Sequence, residues 1–411
     1  MPAKTPSPRT STRTSSRTPA RPSWVDLPDH GAVDVSQALA QINRIEDPRQ
    51  AGKVAFPLQH LLLFALAATL SQFDSFELMA TWSATHGHWL IEQMHLSALP
   101  RMPSHDTFRH LFRLLKPGHL ERLVRSVTQA QAGSLEERLV LIDGKALGGT
   151  WGPKADKAGA LKLLNAYLPD VRLTLGTHAV GAATNESAQL PAFINGLHLK
   201  GTTVCIDAAG TYKDVAGAIN KQQAQYILTL KANQPTLHAK VECFFQQADK
   251  HHGKVPDIHT ARLKTRSKGR QVEVQVETCD WLDWLEETAQ WPGLRSVTRL
   301  QRWRIDEYGT RHHTTMYLLS SLTGAKAILR GAVSRWAIEN SLHWVLDVSF
   351  AEDACRTRDL NASHNLALLR RLAGNLLKLE GSKLSIKGKR LLCASSRTFL
   401  CNVLNAFNVH A

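Results

Sequence analysis

The sequence predicts a mixed α/β fold in which a helical N-terminal region precedes a domain built around a sheet. Residues 24–130 carry apolar side chains mostly at helical spacing, whereas from about residue 135 short apolar or β-branched runs alternate with helical stretches. A chain of 411 residues suits two or three domains, and its apolar content of 43% is enough to build a sizeable core. The composition excludes collagen, a coiled coil and a wholly disordered chain.

The N-terminal region contains three predicted helices. Residues 54–70 are apolar around the whole helix, with Pro57 in the first turn, and residues 76–94 form the second helical pattern. Ser104 is the expected cap of the third helix, which Pro117 and Gly118 would end. We therefore interpret residues 24–130 as a helical N-terminal domain and expect it to bind DNA, although periodicity alone does not indicate the ligand.

The second region alternates strands with helices, which predicts a mixed sheet. Strands are predicted at 139–142, 171–181, 202–206 and 225–231, and helices at 187–197, 213–221 and 236–249. Strand patterns at 271–278, 294–305 and 314–319 suggest a β-rich insertion at about 250–325, and helical spacing returns at 325–345 and 360–380. The predicted domain therefore covers residues 135–380, between a basic arm at 1–23 and a basic tail at 381–411.

The positive charge of the chain is concentrated at its two ends. The formal net charge is +15, and residues 1–23 and 381–411 each contribute five Lys or Arg and no acid. Basic ends of this kind add sequence-independent affinity for nucleic acid, which makes DNA or RNA the favoured partner. The alternative is a pair of solubilising segments without a specific partner. Pro residues in the first segment favour a disordered arm over an amphipathic helix.

The sequence favours a cytoplasmic protein without a membrane span. The longest apolar run, residues 61–70, is about half of the roughly 20 residues that a spanning helix needs. Six Cys are scattered without a C-x-x-C pair, which favours reduced thiols over disulfides or a zinc site.

Two aspartates follow predicted strands and form a first candidate site. Asp143 comes after the run 139–142, and Asp207 comes after the run 202–206. Side chains at strand ends line the ligand crevice of an open α/β sheet, so these two carboxylates could share a metal ion. Oxygen ligands of this kind suit Mg²⁺ or Mn²⁺. The alternative is that each Asp is an ordinary turn or helix-cap residue.

Glu339 is a third candidate acid. On a regular helix Arg335, Glu339 and His343 share one face, and an Arg beside a carboxylate can orient it or bind a phosphate. The alternative is a surface Arg–Glu pair. The residues alone do not rank Glu339 above its acidic neighbours, which are Asp347, Glu352 and Asp353. Trp336 and Trp344, eight residues apart, are expected in the core.

Several motifs together resemble the H-repeat-associated group of bacterial insertion-sequence transposases, a branch of the DDE transposases. The resemblance runs from about residue 25 to 380. It rests on the following stretches, which occur in this order: Asp47-Pro48-Arg49, Ser104-His105-Asp106-Thr107-Phe108, Ile142-Asp143-Gly144-Lys145, Ile206-Asp207-Ala208-Ala209-Gly210, Leu230-Lys231-Ala232-Asn233-Gln234-Pro235, Trp336-Ala337-Ile338-Glu339-Asn340-Ser341-Leu342-His343-Trp344 and residues 366–378.

The resemblance implies a fold, a set of site residues and a chemistry. It implies an RNase H-like catalytic domain with a β-rich insertion, in which Asp143, Asp207 and Glu339 are the catalytic and metal-binding triad. Two Mg²⁺ or Mn²⁺ ions would serve an in-line phosphoryl displacement, with Asp143 shared between them. The expected function is metal-dependent cleavage of insertion-sequence ends followed by strand transfer into target DNA. Two alternatives stay open: a nuclease without strand transfer, and a DNA-binding relic without activity.

The resemblance also implies partners and a location. Lys145, Lys231 and Arg335 are the expected contacts to DNA phosphates. Because two DNA ends must be held together, we expect a homodimer on DNA in the cytoplasm of a bacterium, associated with the nucleoid. One departure concerns the first motif, which in the group continues with Thr, Leu, Arg and Gly; here Ala146 replaces the Thr and Gly148 replaces the Arg.

The charge distribution generates a testable prediction. Deleting residues 1–23 should weaken binding to DNA and flatten its dependence on salt, because fewer counterions are released when fewer phosphates are neutralised. Fluorescence anisotropy of labelled duplex DNA over a series of salt concentrations measures both effects. An unchanged salt slope would show that this segment does not contact phosphates.

Overall fold

The computed structural model describes residues 36–150, 160–181, 185–231, 233–250, 258–267, 270–306 and 308–407. The predicted basic arm, residues 1–23, lies outside these ranges. The described residues form a helical N-terminal region, a mixed sheet with helices on both faces, and a group of C-terminal helices.

The N-terminal region is helical, as predicted. Its helices are α1 (Ser36–Ile42), α2 (Leu58–Leu70), α3 (Phe76–Gln93), α4 (His105–Leu114) and α5 (Pro117–Ala132). Helix α2 is apolar on all sides and almost wholly buried. Pro117 starts α5 rather than ending α4, because the first helical position needs no backbone N–H. No helix of the described residues combines the length and apolarity needed to cross a bilayer.

One nine-stranded sheet runs through the described residues, in the order β3-β2-β1-β4-β5-β9-β8-β7-β6. Its strands are β1 (Leu139–Ala146), β2 (Lys162–Leu168), β3 (Leu173–Val180), β4 (Thr203–Ile206), β5 (Gln225–Leu230), β6 (Ile258–Ser267), β7 (Arg270–Cys279), β8 (Ser296–Ile305) and β9 (Arg311–Ser320). Strands β1, β4 and β5 are parallel, and every other pair is antiparallel.

Strand β1 is longer than predicted, and this moves Asp143 from the end of a strand into its interior. Pairing with β4 stops where Ile142 faces Ile206, but antiparallel pairing with β2 continues to Ala146. The sequence pattern predicts an end of the strand at residue 142, because polar residues follow the apolar run. The partner strand β2 supplies the backbone hydrogen bonds that extend β1 beyond it.

Helices cover both faces of the sheet and create two apolar cores. Helices α6 (Glu186–Asn195), α7 (Lys213–Lys221) and α8 (Pro235–Lys250) lie on one face, and the N-terminal and C-terminal helices lie on the other. Side chains alternate accordingly: Ile142 and Ile206 enter the core beneath α6 and α7, whereas Leu141 and Cys205 enter the second core. Strands β1 and β4 are thus buried on both sides.

The helix predicted over residues 325–345 is interrupted. It consists of α9 (Ala325–Ser334), a π-helical turn (Glu339–His343) and α10 (Trp344–Ser349). The break and the wider π turn change the helical phase, so Trp336 and Trp344 do not share a face. The prediction that Trp344 belongs to the core is wrong, since 58% of this residue is exposed, whereas Trp336 is half-buried and carries the Arg302 guanidinium 4.3 Å above its ring.

The segment expected to be a basic tail instead begins with packed helices. After α11 (Leu360–Leu379), the chain forms α12 (Ile386–Ser395) and α13 (Arg397–Asn405). Lys389 and Arg390 are buried, and Arg390 donates to the Thr69 carbonyl and to Asp74, 2.6 Å away. Apolar residues between the charges give this segment a face that packs on α2 and α11. These two cations therefore stabilise the fold and are withdrawn from any DNA surface.

Candidate active site

Asp143 and Asp207 lie side by side on neighbouring parallel strands. Ile142 pairs with Ile206 in the register of β1 and β4, and an aspartate follows each of them. Because adjacent strands are about 4.8 Å apart, Asp143 and Asp207 are direct neighbours. The preceding residues, Ile142 and Ile206, enter the core beneath α6 and α7, so by alternation both aspartates point to the opposite face, toward the C-terminal helices. Asp143 Oδ1 accepts from the Gly144 N–H, and Asp207 Oδ1 accepts from the Ala209 N–H.

Glu339 reaches the same place from the π-helical turn that follows α9. His343 lies one turn further, and its Nδ1 is 3.3 Å from Glu339 Oε2 and 3.9 Å from Asp143 Oδ2. Ligand atoms of Asp143, Glu339 and His343 all lie within 4.8 Å of one another, which is close enough to hold one metal ion. Single π turns are often found at functional sites, and here the turn brings Glu339 and His343 to the end of the sheet.

Burial and the crowding of acids together determine the electrostatics of the site. Burial, together with the charges of Asp207 and Glu339, raises the pKa of Asp143 to about 7, and Arg335 opposes this shift. Burial also lowers the pKa of His343, which favours the neutral ring that can bind a metal. A cation between these groups would relieve the repulsion that raises the pKa of Asp143.

The structure separates Glu339 from the competing acid Glu352. The Glu339 side chain is 66% exposed, whereas that of Glu352 is fully buried and accepts a hydrogen bond of 2.7 Å from Arg371. Arg371 is also fully buried, and it donates to Asn165, which faces Asp143 across the β1–β2 pair. Glu352 therefore belongs to an internal ion pair beneath the site, and Glu339 is the acid that is free to meet a ligand.

The three cations predicted to contact DNA differ in how accessible they are. Lys145 is buried, and its Nζ lies 2.6 Å from Asp347 Oδ1 and 3.4 Å from Asp353 Oδ1, so its charge is already compensated. Lys231 is exposed just after β5, at the sheet edge where Asp207 follows β4. Arg335 ends α9, half-buried and close enough to Asp143 to lower its pKa.

Two residues at the site were missed by the sequence prediction. His343 was expected on the same helix face as Glu339 but not as a metal ligand. The signal that could have indicated this role is its position four residues after Glu339. Glu186, the first residue of α6, lies with Asp143 and Asp207 around one small cavity. Its carboxylate covers Gly144 so closely that a Cβ there would lie 2.5 Å from Glu186 Oε2. Nothing in the local pattern predicts this contact, since it depends on how α6 packs on the sheet.

The comparisons with known proteins decide the family. The model of the Transposase DDE domain matches residues 134–376, and the model of the DDE transposase-associated domain matches residues 39–127. The chain belongs to the DDE transposase family. The resemblance to the H-repeat-associated group is thereby confirmed, and family membership assigns the chain to a class of enzymes that cut and join DNA with divalent metal ions.

Full-length relatives support this assignment. The H repeat-associated putative transposase YhhI and the putative protein YbfL, both of Escherichia coli K12, are each 27% identical over 379 residues, which cover 90% of this chain and 98% of each relative. An uncharacterised protein from the dhlA 3′ region of Xanthobacter autotrophicus is 32% identical over 62% of this chain and 85% of its own length. Among solved structures the likeness is weak: a piggyBac transposase in a synaptic complex with hairpin DNA superposes with a TM-score of 0.37 at 12% identity, covering 91% of this chain and 76% of that one.

The Gly148 departure from the group's motif has a structural counterpart. The Gly148 N–H donates to Asp353 Oδ1 at 3.3 Å, and a Cβ at Gly148 would lie 3.6 Å from the same carboxyl group. An arginine at this position would therefore start beside Asp353. In this chain Lys145 is the cation that contacts Asp353.

The contrast between the two glutamates generates a prediction about stability. Glu352→Gln should lower the free energy of unfolding by about 3–5 kcal/mol, because Arg371 stays buried without its carboxylate. Glu339→Gln should leave stability unchanged or raise it, because it removes an exposed charge that repels Asp143. Thermal unfolding of both variants in EDTA measures the difference. Equal melting temperatures would contradict the assignment of Glu352 to the interior.

Proposed function

We propose that this chain is a DNA transposase that cleaves insertion-sequence ends and transfers them into target DNA, with Asp143, Asp207 and Glu339 as its catalytic carboxylates. One observation carries the proposal. Three carboxylates from β1, from the end of β4 and from the turn after α9 converge at one edge of the sheet, in a chain of the DDE transposase family.

The topology of the first five strands supports an RNase H-like catalytic domain. Their order is β3-β2-β1-β4-β5, with β2 antiparallel to β1 and β3 and with β1, β4 and β5 parallel. We infer that β6–β9, which extend the sheet antiparallel beyond β5, are the β-rich insertion. The helices of residues 36–132 would then form the separate N-terminal domain.

The donor set fits two Mg²⁺ or Mn²⁺ ions. Carboxylate oxygens are the ligands that these ions prefer, and Asp143 is the carboxylate whose pKa responds to both of the others, which suits it to serve both ions. When bound, such ions activate a water or a 3′-hydroxyl and stabilise the leaving oxygen of an in-line displacement. The role of this chain is to hold the carboxylates close together despite their repulsion.

His343 would add a nitrogen ligand on the Glu339 side of the site. His343 Nδ1 lies 3.3 Å from Glu339 Oε2, so both atoms could bind the same ion. The ring is 5% exposed, and its Nε2 has no hydrogen-bond partner among the described residues. Its polar contacts are thus the two carboxylates, and an imidazole ligand would favour Mn²⁺ over Mg²⁺.

The accessible cations near the site would bind DNA phosphates. Lys231 and Arg335 fit this role because one is exposed at the carboxylate edge and the other lies beside Asp143. Lys145 would act indirectly, by fixing Asp347 and Asp353 next to β1. Because transposition requires two DNA ends to be held together, we infer a homodimer on DNA and a cytoplasmic location near the nucleoid.

Substitution of the triad tests the proposed reaction. Asp143→Asn, Asp207→Asn and Glu339→Gln should each abolish Mg²⁺-dependent cleavage of terminal-repeat DNA while binding of the same DNA remains. Gel assays of cleavage and of strand-transfer products make the measurement, with Asp214→Asn on α7 as a control that should stay active. Cleavage without joined products would indicate a nuclease, and binding without cleavage by the parent chain would indicate a relic. Retained cleavage in a variant would exclude that residue.

Spectroscopy of bound Mn²⁺ tests the role of His343. Electron spin-echo modulation from a coordinated ¹⁴N nucleus should appear in the parent protein and disappear in His343→Gln. His364→Gln should keep the signal, because His364 is a similarly buried histidine on α11 that faces Glu121 instead. Bound Mn²⁺ without nitrogen modulation would exclude His343 as a ligand, and absence of Mn²⁺ binding would exclude the metal site itself.

A further inference from the structure

A groove of about 740 Å³ lies between the N-terminal helices and the segment that leads into α11. One wall is formed by the start of α3 and by Arg109 and Arg113 of α4. The other wall is the extended segment Cys355–Asp359, and Arg370 of α11 also lines the groove. The groove therefore joins the two parts of the chain that match separate family models.

The extended segment directs two arginines away from the core. Exposure alternates along it: Arg356 and Arg358 are exposed, whereas Cys355, Thr357 and Asp359 are half-buried. The inner side is fixed, since Asp359 caps α11 through the Ala362 N–H. In the part of the chain that the structure describes, neither Arg356 nor Arg358 forms an ion pair or a side-chain hydrogen bond. The Cα atoms of these two arginines are thus about 6.6 Å apart along an extended backbone.

A third arginine, Arg370, lines the groove from inside the protein. Arg370 is only 3% exposed, and its contact is with the Cys355 thiol. The nearest acids are committed elsewhere: Asp74 contacts Arg390 at 2.6 Å, and Glu352 contacts Arg371 at 2.7 Å. The charges of Cys355, Glu352 and Asp74 nevertheless favour the Arg370 cation, so the exposed Arg356 and Arg358 are the groove cations available to a ligand. By contrast, Arg109 and Arg113 are already paired with Glu77 and Asp359.

The same segment begins next to the acidic site. Asp353 contacts Lys145, which lies two residues from Asp143 and therefore about 7 Å along β1. The backbone is close-packed here, because a Cβ on Gly149 would lie 2.1 Å from the Cys355 carbonyl oxygen. A strand of DNA that reached the carboxylates could thus continue past Asp353 into the groove within a few nucleotides, at about 3.4 Å of rise for each.

From this arrangement we infer that the groove binds the phosphate backbone of DNA, through Arg356 and Arg358. The inference rests on the proposed transposase function and adds a binding site to it. Spacing and charge explain the choice of ligand: with Cα atoms about 6.6 Å apart on extended backbone, the two long side chains can each reach a separate phosphate of one strand. Arginine also matches phosphate through two parallel hydrogen bonds.

The test compares two double variants that lose the same charge. Arg356→Ala/Arg358→Ala removes the exposed pair, and Lys200→Ala/Lys221→Ala removes two exposed lysines that precede β4 and β5, at the opposite strand ends from Asp207. Binding of a short duplex of arbitrary sequence is measured by fluorescence anisotropy in EDTA over a series of salt concentrations. All four side chains are exposed, so melting temperatures should match that of the parent protein.

We expect the arginine variant to lose about tenfold or more in affinity and to reduce the salt slope by about 1.8, or 0.9 for each lost phosphate contact. The lysine variant should keep the parent slope. Equal slopes in the two variants, with a parent protein that binds, would overturn the groove inference while leaving the proposed function intact. A parent protein that fails to bind duplex DNA would overturn both. An acidic peptide can be tested in the same assay. If the arginine variant lost binding to this peptide but kept its affinity for DNA, the groove inference would also be overturned.

Discussion

Repulsion between carboxylates at one edge of the sheet is the constraint on which the rest of the structure depends. Asp143, with a side-chain exposure of 23%, lies beside Asp207 and Glu339. Burial and the charges of these two acids raise its pKa, so its ionised form is disfavoured. The register of β1 with β4 holds the two aspartates on adjacent strands, and both strands are buried on both faces. Apolar burial in the two cores thus holds together groups that would otherwise separate.

A neutral network beneath the site complements this exposed charge. Arg371 of α11 contacts Glu352 on one side and Asn165 on the other, and Asn165 faces Asp143 across the β1–β2 pair. The arginine therefore ties together the sheet edge, the long helix and the turn that follows α10. Both ionic partners are fully buried, so either one alone would be an uncompensated charge. Arg371 and Glu352 must therefore stay in contact for the fold to be stable.

The elements that the sequence predicted well are those with a strong local pattern. Helix α7 and strand β4 agree with their predicted bounds within one residue, since apolar periodicity and turn residues define them. Strand β2 was missed because Lys162–Leu168 is buried on both faces and does not alternate. The extension of β1, the π turn at Glu339 and the packing of α12 all depend on partners distant in the sequence, and no local pattern contains them.

The same distinction applies to the site and to the charge of the chain. The residues alone made Asp143, Asp207 and Glu339 candidates. Only the family resemblance ranked Glu339 above Glu352, because spacing cannot distinguish an exposed glutamate from a buried one. Counting charges has the same weakness, since it treats every cation as available to DNA. Arg390 is buried and pairs with Asp74, whereas Arg358 is exposed and unpaired within the described residues. The basic balance of the sequence therefore overstates the surface that DNA can contact, and burial decides which cations belong to it.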